Sequence, residues 1–244
     1  MSFEKVTMAI SATDESDTLI ETVDTIFEIC DDRDIAAVLV TIPESVTDEC
    51  FGATQLLKRR YPAFVREVFQ EGPHIGGAIR SCIEATESSH IMFLSADIPI
   101  GLDSIPVMIE QAKKSPESVV KVSRWLKRDS FYGYNRTKKT FNALAQSFLR
   151  ILFNARLTDF TIPVLISPTK TYKNIIFKEW RFSCFLEMVL VPVRMKKDFI
   201  EVPAKCFSRT EGKSKNSALQ TAMYLKTAFR IRFSPKGKIY RCDD

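Results

Sequence analysis

Asp97 stands just past the apolar run 91–95 in the segment HIMFLSADIP. A carboxylate beyond the carboxyl end of a buried strand lies where open α/β sheets bind their ligands. Hard oxygen in that place suits Mg2+ or Mn2+, with substrate phosphates and water filling the other coordination positions. A turn residue beside Pro99, or a cap for the helix starting near Leu102, is the competing reading of the same side chain. Gly76 and Gly77 precede Arg80 in EGPHIGGAIRSCIEA. Backbone N–H groups at a helix start attract phosphate and small residues admit it closely, whereas a packed glycine-rich turn is the plain alternative. Arg209, Lys213 and Lys215 crowd the segment SRTEGKSK around Gly212. That set suits a departing anion or a solvated surface turn. Glu187 interrupts the apolar segment FLEMVLVP. A carboxylate buried there requires an arginine or a backbone amide as partner.

Apolar periodicity gives the elements that must position these residues. Strands are predicted at 6–11, 35–42, 64–69, 90–95 and 119–122. Helices are predicted at 17–30, opened by Asp14 or Ser16, at 47–60, from the glycine pair onward, and at 102–114. The alternation argues for an α/β fold, a mostly parallel sheet wound by right-handed crossovers. Beyond Arg124 the pattern changes to a basic amphipathic helix at 135–153, a strand at 162–166, a buried helix at 182–195 and a strand at 199–204. A last helix at 217–232 interleaves Leu225, Phe229 and Ile231 with Lys226, Arg230 and Arg232. It suits an anionic bilayer, the core or a partner subunit.

The 244 residues are 45% apolar, enough for a substantial core, and carry a net charge of +5. Cations are thickest in the last third, which points to phosphate-bearing partners or an anionic surface. Six cysteines without a C-x-x-C pair argue for free thiols in a reducing cytosol. The N-terminus carries an acid early, unlike a signal peptide, and the longest apolar run is too short for a bilayer. The chain is expected to be soluble or peripheral. It shows no repeat, no linker and no nucleic-acid module.

The succession GGAIR, LSADIP, SRW, TDFT, FLEMVLVP, FIEVP and SRTEGKSK, in that order, resembles the inverting family 2 glycosyltransferases of GT-A fold. The branch it is most similar to holds the polyprenyl-phosphate sugar synthases, such as dolichyl-phosphate mannose synthase. The resemblance implies a GT-A domain over 1–215, with a nucleotide-sugar half at 1–123 and an acceptor-side half at 124–215. A basic helix and tail follow at 216–244.

In such enzymes the loop after the first strand holds the nucleotide, here through Ala12, Thr13 and Glu15. Gly76, Gly77, Arg80 and Ser95 then fall on the donor, and Asp97 alone remains of the family's Asp-x-Asp to hold Mg2+ or Mn2+. Arg124, Arg136 and Lys138 or Lys139 match the cations that grip an acceptor phosphate, with Glu187 on the same side. Asp159 matches the acid that serves as general base for a hydroxyl acceptor; a phosphate acceptor needs none. Arg209, Lys213 and Lys215 match the loop that folds over the donor diphosphate. This chain also departs from the family pattern at Thr13 and Asp14, at Thr41–Glu44, at Ser95, and at Pro163 and Leu165.

The implied reaction moves a sugar from a nucleotide-sugar donor to a polyprenyl-phosphate or glycan acceptor by metal-assisted displacement with inversion. It would run in the cytoplasm or at the cytoplasmic face of a membrane. Two other readings stand beside it: a degenerate relative that binds nucleotide or a partner enzyme, and a nucleotidyltransferase.

Overall fold

A computed structural model describes residues 2–96, 101–127, 130–132, 136–207 and 218–241. The first half follows the predicted alternation. Strands β1 (Val6–Ser11), β2 (Ile35–Ile42), β3 (Val65–Phe69) and β4 (His90–Ser95) alternate with helices α1 (Asp17–Ile29), α2 (Asp48–Arg60) and α3 (His74–Ala85). After a 3-10 turn, α4 (Ile105–Lys114) leads into β5 (Val119–Ser123). The start of α2 is set by Thr47, whose Oγ1 accepts from the Cys50 N–H at 3.2 Å. The cap expected for α1 does not form, because the Ser16 side chain makes no capping bond.

The second half adds β6 (Phe131–Tyr132), α5 (Arg136–Phe153), β7 (Leu165–Pro168) and α6 (Thr169–Lys173). It continues through α7 (Cys184–Arg194), β8 (Phe199–Pro203), β9 (Cys206–Phe207) and α8 (Ala218–Phe233). The strand expected at 162–166 is displaced toward the C-terminus, and the short β6, β9 and α6 were not anticipated.

Among the described residues seven strands form one sheet in the order β3-β2-β1-β4-β7-β5-β8, and β6 pairs with β9 beside it. Within the large sheet only β7 runs against its neighbours, antiparallel to β4 and to β5. Both faces of the sheet are buried, which is why β1, β2 and β4 read as continuous apolar runs. One face packs Met8, Val40, Met92 and Val122 against Leu19, Leu57 and Met108 of α1, α2 and α4. The other packs Leu39, Phe93 and Leu165 against Ile83, Leu149, Val189 and Ile231 of α3, α5, α7 and α8.

Cys30, Cys50, Cys82, Cys184 and Cys206 are free thiols; Cys242 lies outside the described residues. Among the described residues no helix is long and apolar enough to cross a membrane.

Candidate active site

The carboxyl rim of the sheet holds Ala12, Thr13, Glu15 and Ser95 among the residues that the sequence assigns to a donor. Ser11 ends β1 in register with Ser95 of β4 on one side and Thr41 of β2 on the other. The chain winds outward in opposite directions from β1 and β4, so their shared end is the switch point where α/β sheets bind ligands. Buried Ala12 donates its N–H to the Thr41 carbonyl at 3.1 Å. Glu15 folds the following loop onto itself, its carboxylate accepting from the N–H of Thr13 at 2.9 Å and of Asp14 at 3.3 Å.

On the other side of the switch point, Thr22 Oγ1 donates to the Ala96 carbonyl at 3.2 Å, and the Gly101 N–H donates to the Lys205 carbonyl at 3.0 Å. Both neighbours of 97–100 are thus tied to the rim, while Asp97 itself lies outside the described residues. So do Arg209, Lys213 and Lys215. Among the described residues no three His, Cys, Asp or Glu side chains come together as a metal cage.

A cleft of about 400 Å³ opens where β5 and β8 end, lined by Asp103, Lys127, Ser130, Tyr132 and Lys205 among others. The two lysines were not singled out from sequence. Their signal was positional: each follows closely on a strand that ends at this rim.

Arg124 and Asp159, expected to act separately on the acceptor, bind one another. Arg124 Nε donates to Asp159 Oδ2 at 2.8 Å and its Nη2 to Oδ1 at 3.0 Å, with both side chains buried. The Arg124 N–H and the Thr161 N–H add further donors to the carboxylate, and Gln146 Nε2 donates to it from α5. Burial alone would raise the Asp159 pKa, but the Arg124 guanidinium outweighs it and holds the group at about 2. Glu201 of β8 fixes the backbone of this knot, accepting from the N–H of Thr158 and of Asp159. Lys121 of β5, fully buried, donates to the Asp159 and Val122 carbonyls, and desolvation lowers its pKa. In this arrangement Asp159 presents no open oxygen to a reacting group, which departs from its expected place as a base. The side chains of Arg136 and Lys138, in the first turn of α5, fall outside what is described.

The glycine pair at the start of α3 receives protein backbone. The Gly76 N–H donates to the Trp180 carbonyl at 2.8 Å. A Cβ on Gly76 would lie 2.6 Å from Trp180 Cα, and one on Gly77 would lie 2.3 Å from the Gly72 carbonyl oxygen. Arg80 stacks on the Trp180 ring at 3.5 Å from its centroid and donates Nη2 to the Glu179 carbonyl at 3.1 Å. The close approach that small residues permit is thus used by the Glu179 and Trp180 backbone at Gly76 and by the Glu71 and Gly72 backbone at Gly77, where the sequence pattern points to a diphosphate.

Glu187 meets both kinds of partner that its burial requires. Its carboxylate accepts from the N–H of Lys178 and Glu179 and from Arg230 Nη2 at 2.6 Å. Those bonds tie α7 to α8, on the face of the sheet that α3 and α5 also cover.

No protein-family model matches the chain, and no curated protein matches it. Solved structures do. Glucosyl-3-phosphoglycerate synthase from Mycobacterium tuberculosis, in complex with Mn2+, UDP-glucose and phosphoglyceric acid, gives a TM-score of 0.70 at 12% identity, over 95% of this chain and 81% of that one. Its complex with Mn2+, UDP and phosphoglyceric acid gives 0.67 at 13% identity, over 95% and 80%. The chain has the GT-A fold. At such identity the likeness speaks for architecture, and it agrees with the fold that the ordered motifs implied.

Proposed function

We propose that this chain is a glycosyltransferase that moves a sugar from a nucleotide-sugar donor to a phosphate-bearing acceptor, of which a polyprenyl phosphate is the favoured kind. The observation that carries this reading is the GT-A architecture shared over 95% of the chain with an enzyme solved with Mn2+, UDP-glucose and phosphoglyceric acid.

The donor is assigned to the switch point, with Ala12, Thr13 and Glu15 at the nucleotide and Ser95 beside the diphosphate. Asp97 would hold Mg2+ or Mn2+, and the ion when bound neutralises charge growing on the departing nucleoside diphosphate. Arg209, Lys213 and Lys215 balance the same charge from the other side. Lys127 and Lys205 supply cations to the cleft where the acceptor phosphate enters. An acceptor phosphate oxygen attacks the anomeric carbon opposite the diphosphate; the bond to the diphosphate oxygen breaks, its electron pair leaves with that oxygen, and configuration inverts.

A phosphate oxygen is already ionised near neutral pH and needs no base. The Arg124–Asp159 lock therefore favours a phosphate over a glycan hydroxyl. Release of nucleoside diphosphate from a nucleotide sugar with Mn2+, dependent on added polyprenyl phosphate, is the expected result. Asp97→Ala should reduce it by about 10²–10³-fold. Pyrophosphate release would instead mark a nucleotidyltransferase.

A second reading rests on the occupied glycine cradle and on Ser95 in place of an acid: a relative that binds nucleotide without transfer. Thermal stabilisation by a nucleotide sugar, with no turnover across donors and acceptors, would decide for it.

A further inference from the structure

We infer that the joined outer faces of α5 and α8 dock the protein on an anionic phospholipid surface. On α5, Phe141, Leu144, Phe148 and Ile151 recur at helical spacing and are 69%, 61%, 36% and 82% exposed. On α8, Leu225, Phe229 and Phe233 follow at four-residue steps and are 43%, 44% and 69% exposed. The opposite sides of the same helices are satisfied by the core, through Leu149 and Phe153 on one and Ala228 and Ile231 on the other. The outward apolar residues are thus surplus to folding.

The two stripes meet to form one surface. The Phe148 and Phe229 rings pack edge to face with centroids 5.9 Å apart, Phe229 stacks on Phe233, and Arg232 Nε donates to the Leu152 carbonyl at 2.7 Å. Aromatic side chains of this kind settle at the boundary between headgroups and acyl chains.

Charge identifies the occupant. Neither helix contains an aspartate or a glutamate, and no acid occurs anywhere between positions 130 and 158. Exposed Arg150, Lys226 and Arg232 lie along the two helices, with exposed Lys236 and Lys238 just beyond α8. Arg230 is excluded from the count, since it turns inward to Glu187. A second copy meeting this face about a two-fold axis would bring like charges together, whereas an anionic headgroup layer complements them.

Lipid binding itself is independent of the proposed reaction. Its use rests on that reading: α5 begins four residues after Tyr132, which lines the acceptor cleft, so a lipid-borne phosphate would be presented beside it.

The test is sedimentation of the whole chain with phosphatidylcholine vesicles, with and without phosphatidylglycerol, in the absence of donor. The protein should sediment with the anionic vesicles only, less so as salt is raised. Ile151→Glu with Phe233→Glu should lower the bound fraction about tenfold with an unchanged melting temperature. Should that variant fail to fold, Phe233→Trp replaces it, with a blue shift of the added emission expected on anionic vesicles. Failure to sediment, equal binding to neutral vesicles, no blue shift, or a solution dimer that Ile151→Glu dissociates would each overturn the inference.

Discussion

Two buried acids in this molecule, each paired with an arginine, behave in opposite ways. Asp159 and Arg124 meet as two forks, each carboxylate oxygen facing its own guanidinium nitrogen, with the side chains 0% and 7% exposed. Glu187 and Arg230 meet through a single nitrogen, which Glu179 also shares, while Arg230 Nη1 is buried without a partner among the described residues. Both acids are stripped of water. The complete fork overcomes that cost and holds Asp159 at about 2, whereas at Glu187 burial wins and its pKa is raised despite two amides and Arg230. At Asp159 the fork, with Lys121 and the Thr161 N–H beside it, outweighs burial; at Glu187 one shared nitrogen and two amides do not.

Arg124→Ala tests the stronger pair and should have the largest effect. It strands Asp159 in the interior, and denaturant unfolding at neutral pH should show a loss of about 3–5 kcal/mol. In the parent, the depressed pKa of Asp159 contributes stability that is present above the ordinary carboxylate range and lost as pH falls from about 4 toward about 2. Without Arg124, burial raises that pKa, so the deficit of the variant should shrink as pH falls toward about 4. A deficit that ignores pH would contradict this account of Asp159.

Gly76→Ala probes the wall beside the weaker pair. Its methyl would press on the backbone of Trp180 and Glu179, and thermal unfolding should report a loss of about 1–3 kcal/mol. A melting temperature at or above the parent's would mean that the segment 178–181 yields freely.

Arg230→Ala should cost least, about 1–2 kcal/mol, because Glu187 keeps two amide donors and its raised pKa lets a proton replace the arginine. The Glu187 contribution is fully present below the ordinary glutamate pKa and fades as pH rises through the raised one, so this deficit too should close on acidification. A loss matching that of Arg124→Ala would erase the contrast between the pairs.

The parallel part of the fold was legible because buried strands announce themselves. Residues 6–11, 35–42 and 90–95 were read with the bounds that β1, β2 and β4 have. At β7 the apolar residues extend from 162 to 166 without an internal edge. Pairing with β4, His90 opposite Pro168 and Phe93 opposite Leu165, is what sets the register, and such pairing is tertiary information. The site shows the same divide. Arg124 and Asp159 were both noticed, yet 35 residues separate them in sequence, and nothing local says that they neutralise each other. The type of partner for Glu187 was legible from burial, while the identity of Arg230 was not. Arg80 was read as a phosphate ligand because Trp180, which covers it, is remote in sequence.

The reversed direction of β7 has a consequence for how this chain tolerates change. Because β7 enters at the rim where β4 and β5 finish, the connection after α5 delivers Asp159 and Thr161 there before the strand begins. Extra residues inserted near Asn154 to Arg156, upstream of that knot, would be taken up as surface slack. A single residue inserted within Leu165–Pro168 would instead send Leu165 and Ile166, which face opposite layers, to the wrong sides of the sheet.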